Sequence, residues 1–278
     1  MAQKNNVDTF ITTSMDDYEI MSGLDGYRLE AVPIIFFRFL AFNFYDEAGE
    51  SKGFVDDVRV RQAFASAIDW HTIIEGLFGD QASFTQTGVL SSDPNYAGDW
   101  YSYDPDAAKA LLDEAGFDYS HTIKIFYYYT DQTTVDVMDA IAWYMSQIGV
   151  NLEAVYTSNV AQDVYETRTQ DITYFGLSAF DSLSWYQMYL RDNMDSMLSC
   201  KALFQDNVSA LESAYTDEMK AEALSTLQTM DRDNVFFLPV YTINQQVWLS
   251  NRLSVPENCF GNSWFFYDYQ FEDWEIVG

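Results

Sequence analysis

The sequence is short of positive charge: 14 Lys and Arg stand against 43 Asp and Glu, a formal net charge of −29. Binding to a phosphate backbone requires Lys and Arg to displace counterions, so a nucleic-acid partner is excluded. An anionic membrane surface repels such a chain for the same reason. The acids are dispersed, the densest spots being pairs such as Asp16-Asp17 and Asp56-Asp57, which reads as a solvated acidic surface rather than a cation-collecting face. Histidine is almost absent, with only His71 and His121, so no histidine-rich metal site is expected. Cys200 and Cys259 are too few for a disulfide scaffold and lack the paired spacing of a zinc site. They form either one long-range disulfide or two buried thiols. No apolar run approaches the length of a membrane-spanning helix, and Met1 to Asn6 do not lead into the apolar core of a signal peptide. The chain is therefore expected to stay where it is made or to derive from something longer.

What is present is a globular balance: 278 residues, 48% hydrophobic and 17% aromatic, enough for one large domain or two smaller ones. The run Ile34–Phe44 (IIFFRFLAFNF) follows Pro33 and predicts a buried strand. Val60, Phe64, Ala67 and Ile68 make one helical stripe that Asp56 or Asp57 can cap. A second helix is expected from Asp69 through Leu77 to Gly79, and an irregular loop over 85–103. Asp104-Pro105-Asp106 starts a further helix that Gly116 ends. Thr122–Tyr129 is β-prone, Val137, Met138, Ile141, Met145 and Ile148 recur at helical spacing, and Val150–Tyr156 alternates again. This is a βαβ unit with a right-handed crossover.

Beyond it, Asn159–Arg168 reads as a helix and Ile172–Ser178 as a short strand. Helices are expected over Ser182–Leu190, Asn207–Tyr215 and Thr216–Met230. Val235–Tyr241 is apolar, with Pro239 marking an edge or bend, and Gln246–Leu249 pairs beside it. The tail from Gly261 to Trp274 is expected to be irregular. Two apolar strands, near 34–44 and 235–249, thus flank the α/β portion and suit connections between lobes.

Three segments, VDDVRVRQAFASAIDWHTIIEGLFGDQA (55–82), YDPDAAKALLDEAGFD (103–118) and FFLPVYTINQQVWLS (236–250), resemble the extracytoplasmic solute-binding proteins of peptide-type (dipeptide and oligopeptide) ABC importers. IAWYMSQIGVNLEAV (141–155) is similar to the helix-Gly-strand step of that family. The resemblance runs from about Val7 to Trp274. It implies an α/β, periplasmic-binding-protein-like second lobe with a mixed sheet and flanking helices, plus remnants of the first lobe. In domains, 1–44 would be a remnant of the first lobe with one hinge crossing, 45–235 the second lobe, and 236–278 the return crossing with the C-terminal remnant. Family members are about twice this length, so the chain corresponds to their C-terminal portion, whether as a cut piece or a short gene product.

The resemblance further implies a peptide or other small solute held in an interlobe cleft, an ABC permease as partner, no nucleic acid, a monomer, no catalytic residue, no metal and no cofactor. The full-length protein would be extracytoplasmic, a cell-surface lipoprotein or periplasmic. In the family a second-lobe acid near a G-W-x-x-D segment pairs with a peptide's amino terminus; the corresponding stretch is Gly176, Leu177, Ser178, Ala179, Phe180 and Asp181, with leucine in place of tryptophan and the acid one position later. Asp181 is either that acid or the N-cap of the next helix. Trp185, with Tyr186 and Tyr189, is either a stacking wall for a side chain or sugar ring or part of the core. Phe42 and Asn43 at the first crossing and Tyr241 at the second are either cleft-bordering or hinge packing. Arg61 is read as structural, paired with a nearby acid. The same fold binding an oligosaccharide, or a carbohydrate-active enzyme with an aromatic groove, are the alternatives; Gly176–Phe180 lacks the second glycine of a nucleophile elbow, and no phosphate-cradling loop occurs.

Overall fold

A computed structural model describes residues 7–257, 259–260 and 270–277; most of the tail expected to be irregular, 261–269, lies outside the described residues. Strand β1 (Thr9–Thr12) is followed by helix α1 (Met15–Ser22), whose first turn is closed by the Ser14 hydroxyl accepting from the Asp17 N–H. Strand β2 (Tyr27–Phe42) then runs for 16 residues, longer than the apolar run alone predicts, because its first half needs only one packed face.

Helices α2 (Val58–Ala67) and α3 (Trp70–Phe78) start at Asp57 and Asp69, each carboxylate accepting a first-turn N–H. A short strand β3 (Ala82–Phe84) and the expected irregular segment lead to α4 (Pro105–Ala115). Asp104 caps α4, Pro105 opens it and Gly116, at φ 69°, closes it. The βαβ unit is present as β4 (Thr122–Tyr127), α5 (Gln132–Gln147) and β5 (Asn151–Tyr156), with β4 and β5 parallel in register from Thr122↔Asn151 to Tyr127↔Tyr156.

The helix expected over 159–168 is a wide π-type turn, Ala161–Thr167, ended by Arg168 in the left-handed region. Strand β6 (Ile172–Ser178) follows, then α6 (Ser182–Tyr186), α7 (Asp192–Leu198), α8 (Lys201–Glu212) and α9 (Asp217–Asn234). Helix α7 has no side-chain cap, and so lacks a start signal in the sequence. Strand β7 (Phe237–Ser250) is one continuous 14-residue strand. The expected pairing of Gln246–Leu249 beside Val235–Tyr241 is corrected by this: both belong to the same strand. Pro239 has no N–H to give, and the ladder accommodates it with a register shift between Arg38↔Tyr241 and Phe39↔Pro239. The small strands β8 (Leu253–Ser254) and β9 (Glu275–Ile276) pair apart.

The sheet order is β1-β7-β2-β6-β4-β5, with β3 also on β7. It is mixed: β6 runs parallel to β4 and antiparallel to β2, while β2 and β7 are antiparallel along most of their length. The core is aromatic where the two long strands meet the helices. Trp185 lies 4.6 Å from Phe37 and 5.1 Å from Phe39, and Phe237 packs edge-on against both Phe39 and Tyr189. Among the described residues no helix is long and apolar enough to cross a membrane. Cys200 and Cys259 are both buried free thiols, and burial pushes the Cys200 thiol up to about 12.

Candidate functional site

One cavity, of about 270 Å³, lies on the face of the β2–β7 pair. Phe36 and Arg38 from β2 and Tyr241 and Ile243 from β7 form its floor. One wall is the turn from β1 into α1, Thr12 to Met15; the other is Tyr129, Asp131, Thr133 and Thr134 at the start of α5, with Phe78 at the end of α3. Segments from both ends of the chain and its middle therefore converge on the two long strands. Their register breaks twice here, between Pro33 and Phe37 and again after Arg38; such irregularities re-aim side chains out of the regular alternation.

Arg38 is the centre of this cavity. It is 8% exposed, and its guanidinium carbon lies 3.8 Å from the Tyr129 ring centroid and 4.5 Å from that of Phe36. Hydroxyls crowd the same region: Tyr128 and Tyr129 are 3.0 Å apart, and Tyr174 bonds Tyr241. Burial pushes the phenols of Tyr128 and Tyr174 well up and that of Tyr241 to about 12, so these three stay neutral near pH 7. Asp131 is committed to capping α5, its carboxylate accepting from the N–H and the hydroxyl of Thr134. Gly176 pairs across from Arg38 in β6; a Cβ there would overlap Arg38 Nη1 and the Tyr129 hydroxyl. The absence of a side chain at 176 is what admits the guanidinium.

The residues singled out in the sequence do not all meet here. Tyr241 and Gly176 do, the first as floor and the second as the space beside Arg38. Leu177 and Ser178 continue β6 opposite Phe37 and Phe36, and the Ala179 N–H donates to the Ile35 carbonyl at 2.9 Å. Phe180 is 70% exposed. Asp181 caps α6, accepting from the Ser184 N–H at 2.8 Å. Asp181→Ala is expected to cost about 1 kcal/mol of stability and to leave solute affinity unchanged; a urea titration with a binding isotherm checks both. Trp185, Tyr186 and Tyr189 are completely buried, so here they are core and not a wall for a solute. Phe42 and Asn43 are also fully buried: Phe42 packs edge-on against Phe64, and the Asn43 side-chain amide donates to the Gln170 carbonyl at 3.0 Å.

Arg61 is buried, but the acid expected beside it is replaced by main chain. Its guanidinium donates to the carbonyls of Val55, Asp56 and Asn234, tying the start of α2 to the end of α9, and burial pulls its pKa down to about 10. Arg38 was not among the candidates. The signal for it was present: it is the single charge in the run Ile34–Phe44, and charged side chains are almost never fully buried without a partner. A second, shallower depression is lined by Lys52, Phe54, Asp118, His121, Thr169 and Asp171. There the charges answer one another: Asp171 accepts from the Lys124 N–H at 2.9 Å and lies 3.4 Å from Lys52 Nζ and 3.2 Å from His121 Nε2.

The described residues thus build a mixed sheet with two long antiparallel strands, flanking helices and a cavity on the face of those strands. Residues 1–195 match the family model described as bacterial extracellular solute-binding proteins, family 5 Middle, and the chain belongs to that family. A Brucella ovis protein named as an ABC transporter peptide-binding protein is 38% identical over 101 residues, which make up 34% of this chain and 19% of that protein. The fold is shared with the dipeptide binding protein from Pseudoalteromonas in complex with Met-Leu (TM-score 0.72, 17% identity). It is shared equally with NikA from Brucella suis in complex with Fe(III)-EDTA (TM-score 0.73, 18% identity). Both similarities cover 92% of this chain, and 52% and 55% of the respective partners. The chain thus spans about half the length of those two proteins.

Proposed function

We propose that the protein is the solute-capturing component of an ABC importer, taking short peptides into the cavity over the crossing strands and handing them to a membrane permease outside the cytoplasm. It binds and does not catalyse, and it works as a monomer. Residues 1–44 and 236–278 belong, on this reading, to one lobe and 45–235 to the other, with β2 and β7 as the two crossings. The observation that carries the reading is the cavity itself: its floor is the pair of strands through which lobes would be joined, and its walls come from both sides. Closure about such crossings buries a solute by contacts available only in the closed arrangement.

The oligosaccharide alternative rests on the high aromatic content, of which Trp185, Tyr186 and Tyr189 are buried in the core. The peptide reading is supported by the Brucella ovis and Pseudoalteromonas relatives, one named for peptide binding and the other bound to Met-Leu. Deleting the gene in its host is expected to reduce uptake of a radiolabelled tripeptide at limiting concentration at least fivefold, with recovery on complementation. The purified protein should leave the tripeptide intact. Uptake unchanged by the deletion, or hydrolysis of the peptide, would overturn the proposal.

A further inference from the structure

Among the described residues two arginines are buried, and they are treated oppositely. Arg61 is 4% exposed and its guanidinium is met by three main-chain carbonyls. Arg38 is 8% exposed, yet its Nη1 has no hydrogen-bond partner and, among the described residues, no carboxylate lies within ion-pair distance of it. What surrounds it is a set of rings and neutral hydroxyls. A face-on tyrosine favours a cation, but it accepts none of the five N–H bonds a guanidinium offers. Burying a charge without pairing it is among the most costly arrangements a fold can hold. The two arginines differ in one further respect: Arg38 lines a cavity.

We propose that Arg38 is the anchor for a carboxylate of the bound solute, so that this cavity takes small solutes ending in a carboxylate, short peptides with a free C-terminus among them. This rests on the solute-binding reading given above and adds the chemical group that the site recognises. A carboxylate matches the planar fork of a guanidinium with two parallel N–H···O bonds, and in a desolvated site such charge-assisted bonds are stronger than neutral ones. The cavity, about 270 Å³, lies just below the usual range for ligand sites and suits one end of a peptide or a solute of amino-acid size. The Tyr129 ring holds the guanidinium plane, and Gly176 leaves the space into which Nη1 reaches. Asp131, on the cavity wall, is held by its capping bonds to Thr134 and does not take the place of the incoming anion.

The full chain is labelled with ¹⁵N at the arginine side chains and the Arg38 Nε–H resonance is assigned from its loss in Arg38→Lys. Propionate is expected to shift that resonance saturably, and propionamide, the neutral analogue of the same shape, to leave it in place. An unmoved resonance, or equal shifts by both, would overturn the proposal. A second arm separates the sources of the carboxylate: trialanine should bind at least tenfold more tightly than its C-terminal amide, and Arg38→Met should abolish that ratio. If propionate moves Arg38 while trialanine and its amide bind alike, the anion site stands and the peptide reading fails. Stability supplies a readout that a merely structural arginine would move the other way. In the absence of solute, Arg38→Met is expected to raise the urea midpoint, whereas Arg61→Met, which strands three carbonyls, should lower it; a fall for Arg38→Met comparable to that for Arg61→Met would show Arg38 to be a structural cation and end the proposal.

Discussion

Gly88→Ala is expected to lower the unfolding free energy by about 3 kcal/mol or more, the upper part of the range for overpacking. A Cβ at residue 88 would overlap the indole of Trp185. That ring is completely buried and fixed on several sides by Phe37, Phe39 and Phe237, so it has nowhere to turn. The converse change, Trp185→Ala, is expected to cost about 3–5 kcal/mol through the cavity it leaves. The two losses should not add: in a Trp185→Phe background, Gly88→Ala should cost markedly less, because the smaller ring yields the space. Urea unfolding of the four proteins in the cycle checks this. Additive losses would mean that the two positions do not press on each other.

The second large effect concerns pH. Asp231 is 4% exposed inside α9 and receives the hydroxyls of Tyr186 and Tyr189. Burial, more than offsetting these two bonds and one from the Gly88 N–H, raises its carboxyl to about 7 from an ordinary 3.8. The folded state therefore binds this proton more tightly than the unfolded state. The stabilisation is complete below about pH 4, falls as pH rises toward 7 at about 1 kcal/mol per pH unit, and levels off above. Asp231→Asn stays neutral throughout and should flatten that slope. Chemical unfolding of both proteins between pH 4.5 and 8 gives the comparison, and the difference between them isolates Asp231 from the many exposed acids. Parallel stability profiles would show that Asp231 titrates as an ordinary carboxylate.

Much of the scaffold was legible because local chemistry decides it. Asp57, Asp69 and Asp104 cap the helices they precede, Pro105 opens one and Gly116 ends it. The βαβ unit follows from two changes of period, from strand to helix and back. Asp181 was legible as a cap for the same reason, and the alternative role implied by family resemblance competes with two bonds it already makes to Ser184. The candidate site was less legible. Whether Trp185 faces a solute or the core depends on how α6 sits on Phe37, Phe39 and Phe237, which no spacing along the chain encodes. Gly176 was chosen as part of a strand end, and its importance is instead the side chain it lacks, opposite an arginine 138 positions earlier in the chain. Arg38 stands out in the sequence as the single charge of an apolar strand, but its role is legible only once its partners are counted in three dimensions.

The account depends on a solute entering the cavity over β2 and β7, and amide hydrogen exchange of the full chain with and without saturating trialanine tests this most directly. Protection is expected at residues 12–15, 36–38 and 129–134. Protection confined to 118–121 and 169–171, beside the depression at Lys52 and His121, or no change at any of these segments, would contradict it.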